Sequence, residues 1–317
     1  MITSVENARV KDVLRLRKAR ERRAAGLFVA EGIREVERAL RAGLVARALY
    51  VAPELLAEWV PPGPLARPAS GTPPPGPPTR PSPRRQDAPP SGPLEPLGPP
   101  ARRPAGEAPS APPPGSHGPS GSHGPHGPPG SPAGPAPEEV SARVLAKMAY
   151  RAEPEGLLGV FEIPQRALPA GADLILIAVD IEKPGNLGAM ARTADAAGAD
   201  ALLVAGTASD PWNPNAIRAS TGAVFTLPIV DATLDDVRAL TLHKVAAVVG
   251  APTAYTSADL TQPTALIVGA EDEGLDAHWR EAVDMHVSIP MRARTADSLN
   301  AATSAALLLY EAVRQRA

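Results

Sequence analysis

The sequence contains no cysteine, and it lacks several patterns that would point to familiar chemistries. Without cysteine there are no disulfides and no thiolate metal sites. No apolar run reaches the roughly 20 residues that a membrane-spanning helix needs. The first twenty residues carry many charges and no apolar signal segment, so a cytoplasmic protein is expected. Net charge is only −2 at neutral pH, which alone argues neither for nor against a nucleic-acid partner. The run G-x-x-x-x-G-K-[ST] is absent. After the first strand of the second half the spacing is Gly185-Asn186-Leu187-Gly188 rather than G-x-G-x-x-G, which argues against a dinucleotide site. H-E-x-x-H, H-x-E with C-x-x-C, and G-x-S-x-G are missing too, leaving zinc chemistry and serine hydrolysis without their residues.

Proline is what the chain has in excess, and it is concentrated between Pro61 and Pro137, as in "GTPPPGPPTRPSPRRQ" and "GSHGPSGSHGPHGPPG". Such a stretch has too few large apolar side chains to offset chain entropy, so a disordered insertion is expected at about 61–137. Its histidines lie among Gly and Pro without fixed geometry, and no metal site is expected. Removing it leaves about 240 residues, enough for two cores.

Residues 1–165 then read as a small α/β domain around that insertion. A basic amphipathic helix covers 5–24, followed by the strand "LFVAEG", the helix "IREVERALRAG" closed by Gly43, and the strand "ARALYVA". A further helix and the strand "LLGVFEI" lie within 141–164. From 170 to 317 the apolar strands "LILIAVDI", "ALLVAG", "VFTLPIV", "KVAAVVG", "TALIVG" and "HVSIP" alternate with helices. Strands apolar on both faces predict a mostly parallel sheet with helices on both sides. In such sheets ligands sit at the carboxyl ends of strands.

Three of those ends carry suggestive loops: "VDIEKPGNLGAMARTADAAG" (179–198), "LIVGAEDEGL" (266–275) and "SIPMRARTADSLNAATS" (288–304). Ser298 and Asn300 suit the start of the last helix, where such side chains satisfy orphan N–H groups. Capping alone leaves the polar loop before them unexplained. The three segments resemble the three motifs of the SpoU (TrmH) family, a branch of the SPOUT superfamily of RNA 2′-O-ribose methyltransferases. Asn186 and Arg192 match the first. Gly269, Glu271, Gly274 and Leu275 match the second, and Ile289 to Met291 with Ser298 to Asn300 match the third. Order and spacing agree over about 145 residues. The stretches "FVAEGIREVERAL" and "EPEGLLGVF" resemble the family's L30e-like substrate-binding domain, from which the proline-rich insertion departs.

The resemblance implies a trefoil knot in the C-terminal domain, S-adenosylmethionine as cofactor, and a homodimer whose active sites are shared between subunits. Val268, Gly269, Ala270, Ile289, Met291, Ser298, Leu299 and Asn300 would surround the cofactor. Asn186, Arg192, Glu271, Ser298 and Asn300 would carry the chemistry. Arg192, supplied by the opposite subunit, would steady a phosphate or the developing alkoxide; a guanidinium is too hard to deprotonate to serve as a base. Asn186 also suits plain helix capping, and the task of Glu271 stays open.

RNA is the implied partner. Arg15, Arg17, Lys18, Arg20, Arg22 and Arg23 are too many and too crowded for a buried face, so phosphates are expected to meet them, a simply solvated helix being the alternative. Arg218 and Ser220 are expected near the RNA or cofactor face. An L30e-like domain favours ribosomal RNA, with transfer RNA as the alternative. Some relatives of this kind confer self-resistance on antibiotic producers. From a different class comes an RNA-binding or ribosome-assembly factor that has lost catalysis, against which the intact motif residues speak.

Overall fold

The computed structural model describes residues 1–56, 135–206, 208, 210–292 and 295–317. All but the last three residues of the expected insertion, 61–137, lie outside them. The N-terminal half begins with α1 (Ala8–Arg15), α2 (Ala19–Ala25), β1 (Leu27–Glu31), α3 (Ile33–Arg41) and β2 (Ala46–Val51). It resumes with β3 (Glu138–Glu139), α4 (Ala142–Met148) and β4 (Leu157–Glu162). These strands form a sheet of order β1-β4-β2-β3, with β4 antiparallel to both neighbours. Because β3 pairs with β2, the chain re-enters beside the strand it left.

The basic run expected as one helix is two, and the physical reason is Arg22. Its Nη1 donates to the carbonyl oxygens of Leu16 at 2.6 Å and Arg17 at 2.9 Å, satisfying the chain where α1 ends. Arg22 is only 2% exposed.

The second half opens with β5 (Leu174–Val179), α5 (Pro184–Ala196), β6 (Ala201–Ala205), α6 (Pro214–Ser220), α7 (Ala223–Thr226) and β7 (Ile229–Ala232). It continues through α8 (Leu234–Arg238), β8 (His243–Ala247), β9 (Thr253–Ala254), β10 (Thr264–Val268), α9 (Ala277–Glu281), β11 (Met285–Ser288) and α10 (Ala301–Arg316). Seven strands pair in the order β7-β6-β5-β10-β8-β11-β9, every pairing parallel. Each residue of β5, β6 and β10 is buried, as a sheet covered on both faces requires. "VFTLPIV" is a strand only from Ile229; its start is the helical turn α7, which buries Val224 and Phe225 together where a strand would aim them at opposite faces.

The halves share apolar packing. One buried cluster runs from Phe28, Val36 and Phe161 of the first half to Trp212, Phe225 and Leu308 of the second. Phe28 lies 4.9 Å from Trp212 and 5.9 Å from Phe225, ring centroid to centroid. A second cluster fills the other face of the large sheet, and a third lies within the first half.

Candidate active site

Strand order reverses between β5 and β10. From β5 the chain builds outward through β6 and β7, and later strands fall on the other side, with β10 inserted next to β5. Loops leaving two such neighbours diverge and open a crevice at the carboxyl edge of the sheet. The loop after β5 leads to Pro184, whose ring suits the first turn of α5, where no N–H is needed. The loop after β10 folds back tightly, with the Gly274 N–H donating to the Ala270 carbonyl at 3.1 Å. Only glycine fits at 269, because a Cβ there would lie 2.5 Å from the Gly274 carbonyl carbon.

A chain of side-chain hydrogen bonds joins these loops to the start of α10. Asn186 Nδ2 donates to Glu271 Oε1 at 2.6 Å, and the Glu182 N–H donates to Glu271 Oε2 at 3.2 Å. Asn300 Nδ2 donates to Asn186 Oδ1 at 3.0 Å. The directions are fixed by chemistry: an ionised carboxylate only accepts, so Asn186 turns its NH2 to Glu271 and its carbonyl to Asn300. The Asn300 Oδ1 meanwhile accepts from the Ala302 and Thr303 N–H groups, capping α10. Burial pushes the Glu271 carboxyl up, but the Asn186 amide and the N–H groups of Glu182, Lys183 and Glu271 itself hold it below the ordinary glutamate value.

Beside this chain lies a cleft of about 500 Å³. Val268, Gly269, Ala270, Ile289, Met291, Ser298 and Leu299, all expected around a cofactor, line it together with Glu271. Asn186, Asn300 and Arg192 do not line it. Sequence reasoning missed the stretch Ala247-Val248-Val249-Gly250 after β8, and Arg280, which also line the cleft. The signal available was an apolar strand ending in glycine, a pattern shared by several other strands here. Seven large apolar side chains are exposed among the described residues, and three surround this cleft: Val249 (73%), Met291 (36%) and Leu299 (38%). Exposed apolar groups gathered at a concave site mark a place where a ligand removes them from water.

The expected RNA-facing residues fall into two sets. Arg15, Lys18, Arg20 and Arg23 are exposed. Arg22 is not, and its expected contact with phosphate is corrected: its guanidinium pairs with Asp210 inside the protein. Arg17 is committed within the fold as well, since its Nη2 donates to the Lys147 and Ala149 carbonyls and its guanidinium lies over the Tyr150 ring. Arg218 is exposed and donates to Asn215, away from the cleft lining. Ser220 is buried, donating to the Ile217 carbonyl and accepting from the Gly222 N–H, so it closes α6 and faces no ligand. Arg192 is exposed on α5, six residues beyond Asn186 and therefore about 240° further around the helix.

Comparison with known proteins places this geometry. Residues 173–310 match the SpoU rRNA Methylase family, and residues 7–67 match the MRM3-like substrate binding domain. A 23S rRNA (uridine-2′-O)-methyltransferase of Streptomyces viridochromogenes is 40% identical over 177 residues, which span 51% of this chain and 61% of that protein. The likeness to solved structures runs further along the chain. A crystallised RNA 2′-O ribose methyltransferase matches with a TM-score of 0.65 at 35% identity, covering 99% of this chain and 98% of the other. An AdoMet-bound rRNA methyltransferase from Sinorhizobium meliloti matches with a TM-score of 0.69 at 25% identity, covering 99% and 97%. Identity of 35% over 98% of a solved RNA 2′-O ribose methyltransferase goes beyond a shared fold, and with the family match this chain belongs to the SpoU rRNA methylase family.

Proposed function

We propose that the protein is an S-adenosylmethionine-dependent RNA 2′-O-ribose methyltransferase acting on ribosomal RNA. The observation that carries this is the Asn300–Asn186–Glu271 chain, which ties all three motif segments together beside a ligand-sized cleft at the sheet's switch point. The donor set suits the cofactor: a glycine-walled loop, an apolar rim of Val249, Met291 and Leu299, and a volume in the range of small-molecule sites. When bound, the cofactor supplies the electrophilic methyl group. The chain's own residues hold the cleft loops in register and bring the ribose to it, and positioning of this kind supplies much of the barrier reduction.

Charge distribution supports recruitment of RNA by the first half. Residues 166–317 carry eleven Lys and Arg against eighteen Asp and Glu, whereas residues 1–56 with 135–165 carry fifteen against twelve. Phosphates are therefore met by the exposed cations of α1 and α2. The names of several relatives specify 23S rRNA, which favours ribosomal over transfer RNA as substrate. A homodimer completes the reading: Arg192 is exposed and does not line the cleft of its own chain, and as an always-charged forked donor it serves the partner's ribose or phosphate. The knotted threading expected of the C-terminal half belongs to the same reading.

The test is transfer of tritiated methyl from S-adenosylmethionine to ribosomal RNA, with recovery of the label in 2′-O-methylated nucleosides and Arg192→Ala as the control. Absence of label in the parent, with RNA bound, overturns the assignment in favour of a binding factor.

A further inference from the structure

The buried pair Arg22–Asp210 has no part in the methyl-transfer chemistry, and it forms a directional polar bond between α2 and the loop that leads into α6. Arg22 Nε donates to Asp210 Oδ2 at 3.0 Å, and Nη2 donates to the same oxygen. The other carboxylate oxygen accepts from the Trp212 N–H at 3.0 Å. With Nη1 spent on the Leu16 and Arg17 carbonyls, one guanidinium links the end of α1, helix α2 and the second half of the protein. Lysine, with three donors on one small ammonium, cannot span these positions.

From Asp210 the connection continues toward the site. Asn213 caps α6, its side chain accepting from the Asn215 N–H. Helix α6 presses on α5 so closely that a Cβ on Gly188 would lie 2.2 Å from the Ala216 carbonyl oxygen. Gly188 is two residues beyond Asn186 and four before Arg192 on the same helix. Apolar packing also joins the halves, with Phe28 against Trp212 and Phe225. Apolar contact is non-directional and tolerates sliding, whereas a charge-assisted hydrogen bond fixes angle and register.

We infer that Arg22 and Asp210 are positioning residues that set the angle between the RNA-gripping helices α1 and α2 and the helix α5 bearing Asn186 and Arg192. This rests on the methyl-transfer reading for its kinetic consequence, but the geometry can be measured without it. The cysteine-free chain allows spin labels at Val45→Cys in the first half and Asp235→Cys in the second, both exposed positions. Single-label versions supply any inter-subunit background. The label-to-label distance distribution is compared for the parent, Arg22→Met and Asp210→Asn. If Arg22→Met does not fold, Asp210→Asn, which keeps size and shape, decides the matter.

The expected result is a shifted or broadened distribution in the variants with S-adenosylmethionine affinity unchanged. On ribosomal RNA, kcat falls by about a hundredfold, the scale of an ångström-sized misplacement, with little change in KM because the exposed cations remain. Distances coinciding with the parent's overturn the inference, as does a parallel fall of cofactor affinity and kcat, which marks a purely structural pair. Absence of methyl transfer in the unsubstituted protein overturns the functional reading instead, and the distance measurement still decides this one.

Discussion

Replacing Glu271 by glutamine tests whether the hydrogen-bond chain sets the shape of the cleft. The carboxylate accepts from the Asn186 amide at 2.6 Å and from the Glu182 N–H at 3.2 Å. A glutamine amide has one accepting atom, so it keeps one of these bonds and turns its NH2 toward the other donor. Hydrogen bonds to a charged group contribute about 1.5–3 kcal/mol each. Glu271 is partly exposed, so water replaces some of what is lost, and the net cost to these loops is about 2 kcal/mol. With the cofactor taken up by the loop arrangement that these bonds hold, the same free energy is expected as a roughly thirtyfold weaker Kd for S-adenosylmethionine. Isothermal titration of parent and variant at neutral pH measures it, with circular dichroism verifying the fold. A parent-like Kd in a folded Glu271→Gln protein refutes the reasoning.

A pH series gives the same test a second arm. The folded carboxyl lies below its ordinary 4.5. A depressed folded value means the contribution is complete above that pH and is lost as pH falls through the folded value. Affinity in the parent should therefore fall only in acid, and the glutamine variant should lack that component.

Gly269→Ala should abolish cofactor binding, because the added methyl meets backbone of the Gly274 turn, and backbone cannot step aside as a side-chain tip does; equilibrium dialysis with labelled cofactor reads the outcome. Neutralising Arg15, Lys18 and Arg20 together should flatten the salt dependence of RNA binding by up to about three contacts' worth of slope while sparing cofactor affinity. An unchanged slope would place the phosphate contacts elsewhere. Arg192→Ala and Asn300→Ala homodimers should each be nearly inactive, yet mixed heterodimers should recover up to about half of parental activity, since one of the two symmetric sites then carries neither change. Verified heterodimers without activity would mean that Arg192 acts within its own chain.

Much of the second half was legible because its physics is local. β5, β6 and β10 are short continuous apolar runs, and buried parallel strands have no other appearance. Glycines at 269 and 274 and the cap at Asn300 were likewise readable, each answering a constraint of its own neighbourhood. What escaped was set by distant partners. Nothing near Arg22 announces Asp210, 188 residues away, so a buried arginine looked like one more cation on a basic helix. The apolar start of "VFTLPIV" reads equally well as strand, whereas in the fold it is a helical turn whose Phe225 packs near Phe28, a partner in the first half of the chain. The Ala247–Gly250 wall of the cleft carries no polar residue that would single it out.

The Asn186 relay also has a bearing on when the site comes into being. Its side chain finds partners 85 and 114 residues further along the chain, at Glu271 and Asn300. Contacts of such high sequence separation are slow to form, since most of the loop-closure entropy must be met before they contribute. The cleft should thus be a late product of folding, absent from any species in which α10 has not yet docked. Partial unfolding should erase it while the helices and central strands persist, so cofactor binding would report on the integrity of the native topology more stringently than secondary-structure content does.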